Sequence, residues 1–536
     1  MNLPMTDDRM ANSAQRPASR WWLVLLAVTM VGSVWWLQRP EDEDPQDAAN
    51  ANLGLHVSAP KSDPMIMVGK LVLAFKDGGG MIAPLLRGQI DGAVGNTLDD
   101  SSAPPADQLR AAMLLLGEGY PDKPEKPEGF AMMGAPTPPS ISERLKWVET
   151  HADPASPLQA DAAVVRSLLE AAEVEPDAAG GEGKPGVSMG QPSREARMAS
   201  SISKLSAEQV GGLKDRHGWF AEVLLSSGDE QAAVRTDAKR QAVRFGFGAV
   251  LVGGFMVLAL VAGCGLLVTG LILRLNGKLG AKFQRPPPYG HEQPVWAEHV
   301  WLETFCIFVG GFLTIKLVVL ALEHQQISGA AIGWVALSGN WVLTSAIFWP
   351  VVRGLNWKLW RERIGWRTNR PGPVGVATEI GVGIMGYCCA LVVMAATLIG
   401  LFIARMVIDG GGSMPTKQIN KIGELVGSGN IWLTITIFLL AVIWAPIVEE
   451  SVFRGALFRH LRRNFPVVVA AMVSAGAFAL MHSYATLQLV MVGSLGLTFA
   501  IFREWRGSLI PSATAHFIQN AIALSVALAM GPLMKP

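Results

Sequence analysis

Apolar residues in this chain are gathered in long blocks. The first, WWLVLLAVTMVGSVWWLQ (Trp21–Gln38), is long enough to span a bilayer with little to spare. From Val243 onward the blocks follow one another, and spans are expected near 245–273, 297–322, 330–352, 374–407, 431–453, 467–486, 487–502 and 509–531. Residues 39–243 differ in kind. They are polar and broken by SSAPPADQ, PDKPEKPEG and AAGGEGKPG. Between the breaks, ADQLRAAMLLLGEG, SPLQADAAVVRSLLEAAE and SAEQVGGLKDRHGWFAEVLL carry a helical period. The pattern predicts an all-α polytopic membrane protein: a multi-helix transmembrane bundle with a helical, partly disordered insertion. Residues 1–20 form an N-terminal tail, 21–38 a signal anchor, 39–243 the insertion, 244–430 a first group of membrane helices and 431–531 a second.

Charge adds a topology. Arg16 and Arg20 precede the first block and PEDEDPQD follows it, which places the N-terminus in the cytoplasm and 39–243 outside it. Bulky VWWLQ stands where a signal-peptide cleavage site would need small residues, so the anchor is read as uncleaved. The basic connections RLNGKLGAKFQR, RGLNWKLWRERIGWRTNR, RGALFRHLRR and REWRG then all fall on the cytoplasmic side. The expected location is the cell inner or plasma membrane. A net charge of +1 gives no field for nucleic acid, and the four cysteines lie in apolar runs without metal or disulfide spacing. No catalytic motif and no fixed repeat is found in the insertion. Lys316 is a stray charge midway along a span, read as snorkelling.

Ionisable residues inside membrane blocks are costly, roughly 2.5–3.5 kcal/mol each on insertion scales, and so point to function. In APIVEESVFRGALFRHLRRNFP, Glu450 and Arg454 share a helix face as an i,i+4 pair, while Glu449 points about 100° away. Pro446 removes a backbone donor and frees a carbonyl near Val442, predicting a kink. FALMHSYA places Phe478 and His482 on one face of the next span. PSATAHFIQNAIAL repeats Ser512, His516 and Asn520 every four residues. A helix rise of about 1.5 Å per residue puts these groups at compatible depths, in one cavity opening toward the cytoplasm. The plainer reading of each, taken alone, is interfacial pairing or interhelical hydrogen bonding.

The three stretches have the forms E-E-x-x-x-R, F-x-x-x-H and H-x-x-x-N, in that order, and together resemble the motifs of the CPBP (CAAX protease and bacteriocin-processing) family. That family of intramembrane proteases includes the type II CAAX prenyl endopeptidases. The resemblance covers roughly residues 430–531. It implies a glutamate-dependent or metallo-type intramembrane endopeptidase, with CAAX-type C-terminal processing as one activity. Its substrate would be a peptide or protein, with membrane-anchored substrates included. Carried over, Glu449 would activate water as general base, and His482 and His516 would position that water or bind a metal. Asn520 with His516 would stabilise the oxyanion, and Glu450 and Arg454 would orient them. A divalent metal such as zinc, held by His482, His516 and Glu450, is one option. The chain has no H-E-x-x-H helix, and a metal-free mechanism uses the same side chains. Two other readings stay open: a non-catalytic scaffold or immunity-type protein on this fold, and a transporter. A transporter predicts paired inverted repeats, whereas the polar cluster is confined to the last third.

Overall fold

The computed structural model describes residues 21–38, 64–75, 104–120, 122, 139–173, 192–278, 299–325, 327, 329–409, 431–482, 484 and 486–534. Every described element is a helix, and seven are long and apolar enough to cross a bilayer, so this is an all-α, multi-pass membrane protein. The tail 1–20, the acidic run after Gln38, AAGGEGKPG, most of PDKPEKPEG and residues 410–430 lie outside the described residues. The chain divides into two compact units. Of the described residues, those between 64 and 251 and those from 526 to 534 form one, and 21–38 with those between 252 and 525 form the other.

Helix α1 (Trp21–Gln38) belongs to the second unit. The first unit contains α2 (Pro64–Phe75), α3 (Pro105–Gly117), α4 (Ile141–His151), α5 (Pro157–Glu173), α6 (Arg194–Ile202), α7 (Ala207–His217) and α8 (Trp219–Leu225). The three helical stretches legible in the sequence form α3, α5, and α7 with α8. In α5, Leu158, Ala162, Val165 and Leu169 recur at helical spacing and are buried. Burying each valine or leucine contributes about 1.5–3 kcal/mol. Helices α4 and α7 start at capping boxes, Ser140 with Glu143 and Ser206 with Gln209. The sequence reading missed α2, PMIMVGKLVLAF, whose apolar residues show no polar face because most of it is enclosed.

Two buried polar knots hold this unit. Arg235 is fully buried, 2.8 Å from Glu118, and donates to the carbonyls of Gly117, Val223 and Ser226 at the ends of α3 and α8. Asp161 of α5 accepts from Arg216 through both oxygens, at 2.6 and 2.7 Å, and lies 3.0 Å from His217 Nε2. Helix α9 (Ala233–Leu275) starts at Ala233, before the span expected from 245. Its first turns, with Arg235, Ala238 and Ala242 buried, belong to this unit's core.

The membrane unit continues with α10 (Val300–His324), α11 (Gly329–Leu343), the tight turns Thr344–Phe348 and Trp349–Val352, α12 (Trp357–Ile364) and α13 (Gly372–Asp409). Five consecutive segments follow without a break and are together α14: Ile431–Phe438, Leu439–Trp444, Ala445–Glu449, Glu450–Leu457 and Phe458–Asn464. The second and fourth are π-helical. Then come α15 (Val467–Leu480), α16 (Thr486–Arg506) and α17 (Ile510–Met530). Helix α1 lays Leu23, Ala27, Val31 and Val34 into the core it shares with Phe305 and Phe308 of α10. Lys316 sets its ammonium 5.5 Å from the Phe312 ring.

Arginine-rich connections meet at one end of this unit. Arg462 pairs with Glu504 at 2.7 Å and Arg506 with Glu379 at 2.7 Å. Arg459 donates to Arg363 O, Ser508 Oγ to Arg367 O, and Leu509 N–H to Gly365 O. Gly365 ends α12 with φ +113°, a left-handed conformation that glycine adopts without strain. Three of the four basic connections expected on one side thus come together.

Candidate active site

The site is built on α14, where the backbone winds wider than an α-helix. Ala445 N–H donates to Leu440 O, five residues back. The next donor in that ladder would be residue 446, which is proline. The carbonyl left over is therefore that of Ala441. The sequence placed it near Val442, because it assumed four-residue bonding. Asn520 Nδ2, from α17, donates to Ala441 O at 2.8 Å and satisfies it. Single π turns inside α-helices are frequent at functional sites. Here one precedes Glu449 and another begins at Glu450.

Glu450 and Arg454 are fully buried and paired at 2.9 Å. Losing either partner would strand a charge, so the pair needs its further contacts. Arg454 Nη2 donates to Gly496 O at 3.2 Å, and its guanidinium lies 4.3 Å from the Phe478 ring centroid and 5.4 Å from that of Phe499. Gly496 permits this: a Cβ there would stand 3.1 Å from Arg454 Nη2 and 3.2 Å from Ala475 Cα. Such small residues bring α15 and α16 together, as the glycines of GSLGLTFA suggest.

His516 bridges the two glutamates. Its Nδ1 is 3.2 Å from Glu450 Oε1, and its Nε2 is 3.9 Å from Glu449 Oε2. Since a carboxylate accepts, Nδ1 carries the proton and Nε2 is turned toward Glu449. The ring stacks on Phe499 at 5.5 Å and meets Phe478 edge-on at 5.8 Å. Glu449 keeps a partly open side chain, 19% exposed, yet its Oε2 is buried without a hydrogen bond. His482 follows the end of α15. Its Nδ1 donates to Phe478 O at 2.8 Å, which leaves Nε2 free of that bond, and its ring stacks on Tyr484 at 5.6 Å.

Glu449, Glu450, Arg454 and His516 thus form one connected group. His482 joins it through Phe478, and Asn520 reaches the same helix through Ala441. Sequence reasoning missed Phe499 and Tyr484, which shape the site without being chemically unusual, and took Gly496 only as a packing glycine. As a zinc set, His482, His516 and Glu450 do not fit well. Glu450 Oε1 is shared by Arg454 and His516, and His516 Nδ1 is turned to that carboxylate. Among the described residues, no three His, Cys, Asp or Glu side chains are placed to hold one metal ion.

Fold and site together define a polytopic helical membrane protein with a carboxylate–histidine–arginine cluster buried in its bundle. Residues 431–522 match the family model described as type II CAAX prenyl endopeptidase Rce1-like, and this segment is an Rce1-like domain of the family that the three motifs resemble. No curated protein and no solved structure matches the chain.

Proposed function

We propose that the protein is an intramembrane endopeptidase in which Glu449 is the general base. The observation that carries this reading is the buried, unpartnered Oε2 of Glu449, 3.9 Å from His516 Nε2 within the Rce1-like segment. One water between these two acceptors would donate to one of them and be positioned by the other. Glu449 takes a proton from the water as its oxygen attacks the peptide carbonyl carbon. When the C–N bond breaks, Glu449 returns that proton to the leaving amine. Glu450 and Arg454 hold His516 in the tautomer that aims Nε2 at the water. The oxyanion donor is the second Nδ2 hydrogen of Asn520. All of this runs on side chains of the chain itself.

The substrate is a polypeptide that can enter the bilayer. C-terminal CAAX-type processing is the activity suggested by the family description. The bias of basic connections supports a cytoplasmic N-terminus and residues 39–243 outside the cytoplasm, in an inner or plasma membrane. The test is cleavage of a peptide library, with and without a C-terminal prenyl cysteine, by purified wild type and Glu449→Gln, each with and without chelator. The variant should lose activity by about 10²–10⁴-fold, the usual contribution of a general base. Cleavage by Glu449→Gln at the wild-type rate would overturn the assignment, and loss on chelation would move the chemistry to a metal.

A further inference from the structure

Where its arginine-rich connections meet, the membrane unit carries more positive charge than its carboxylates neutralise. Glu504 is taken by Arg462 and Glu379 by Arg506. Arg459 of α14, Arg503 of α16 and Arg367 of the α12–α13 link remain. Among the described residues, no carboxylate comes within 4.0 Å of any of these three. They are grouped all the same. Arg459 Nη1 and Arg503 Nη2 both donate to the carbonyl oxygen of Arg363, at 3.1 and 3.4 Å. Arg503 also reaches Ile364 O at 3.3 Å. Arg459 and Arg367 are the two cations whose charge acts on Arg503.

Two glycines let these groups pack directly against backbone. A Cβ on Gly365 would stand 2.8 Å from Arg503 Cζ, and one on Gly507, φ +67°, would stand 2.9 Å from Arg367 Nη2. The plainer role of Arg459 and Arg503 is to cap the C-terminal carbonyls of α12. That helix end supplies about half a negative charge against three positive ones. Arg503 is only 8% exposed, and the Nε atoms of Arg503 and Arg459 are buried without a hydrogen-bond partner. Like charges at this range repel, and burial removes the water that would screen them. Arg459 is half-buried and Arg367 exposed, which leaves one side of the group open to an anion.

We infer that Arg459 and Arg367, with Arg503 behind them, form a binding site for a phosphate group. A carboxylate offers its oxygens in one plane and suits one guanidinium fork. A phosphate offers them tetrahedrally, to forks arriving from different helices. Basic pockets between membrane helices hold anionic lipid headgroups in this way, and a soluble phosphate has the same chemistry. The inference does not rest on the hydrolytic reading, and its test needs no turnover. The full chain is purified in neutral detergent and its unfolding temperature is followed by tryptophan fluorescence. Phosphatidylglycerol, phosphatidylcholine and inorganic phosphate are titrated separately at matched ionic strength. A rise with phosphatidylglycerol makes the ligand an anionic headgroup, and a rise with inorganic phosphate makes it a soluble phosphate. No rise with either, or an equal rise with phosphatidylcholine, overturns the inference. Arg459→Gln and Arg367→Gln should each weaken the apparent Kd about tenfold or more, the worth of a hydrogen bond to a charged group. Arg370→Gln, at an exposed arginine of the same link, should leave it unchanged. The buried Arg503 is kept, so that folding is not at stake. If the arginines only cap α12, the first two variants lower the unfolding temperature without ligand and leave the ligand-induced rise intact. That result, or an equal loss in Arg370→Gln, overturns the site.

Discussion

Each unit contains one carboxylate, one arginine and one histidine in contact, and the two trios differ in how they use their hydrogen bonds. In the helical unit, Arg216 engages both oxygens of Asp161 and His217 shares one of them; His217 Nδ1 then ends in the core without a partner. In the membrane unit, Arg454 and His516 share one oxygen of Glu450, the other is unpaired, and His516 Nε2 continues toward a second carboxylate. The first trio ends at His217, and the second leads on to Glu449. Both trios thus leave one acceptor unfilled, and they differ in that only the second continues, through His516 Nε2, toward another carboxylate.

The sharpest way to break this comparison is to remove one partner of the buried membrane pair. Glu450→Ala should cost about 3–5 kcal/mol by stranding Arg454 and should abolish cleavage. Glu450→Leu combined with Arg454→Met should recover much of the stability, read as thermal unfolding in detergent, and none of the activity. Recovery of both would mean that the pair is structural like its counterpart. A smaller effect is expected at Asn520→Ala, which orphans the Ala441 carbonyl for about 1–3 kcal/mol. It should lower turnover more than it raises KM, whereas a purely structural amide would affect only the unfolding temperature.

The smallest effect concerns the first trio. Burial opposes charge on Asp161, but its bonds to Arg216 and His217 outweigh that and hold its pKa below the usual carboxylate value. Burial lowers the His217 pKa more than Asp161 raises it. A depressed histidine pKa means that the unfolded chain takes up a proton first, so stability falls as pH drops below about 6.5. The Asp161 contribution is lost lower still, as pH falls below about 3.9. Each group gives at most about 1.4 kcal/mol per pH unit. Hydrogen exchange of α5 and α7 in the full chain, corrected for intrinsic rates, should show protection declining from pH 7 to 5. His217→Gln should flatten that decline, and Asp161→Asn should leave cleavage unchanged.

Much of the site was legible because charge in an apolar block is conspicuous. Glu449, Glu450, Arg454, His482, His516 and Asn520 are each costly or polar in an apolar block, their spacing assigns them to faces, and the three motifs together single them out. The π windings were not legible, since hydrogen-bond register depends on how the backbone packs, and Pro446 marks only the missing donor. Phe499 and Gly496 are ordinary members of α16 until Arg454 is placed between them. In the helical unit, α3, α5 and α7 announced themselves by period, while the enclosed α2 had no polar face to show.

The stripe of Leu23, Ala27, Val31 and Val34 has a consequence for biosynthesis. Its partner, α10, begins only at Val300, after α2 to α8 have been translated. At about 5–20 residues per second, α1 waits roughly fifteen to fifty seconds in the bilayer before the surface it fits exists. The helix made first thus finds its place only after α10 has been made, and the membrane unit cannot close until the long polar segment between them has been synthesised.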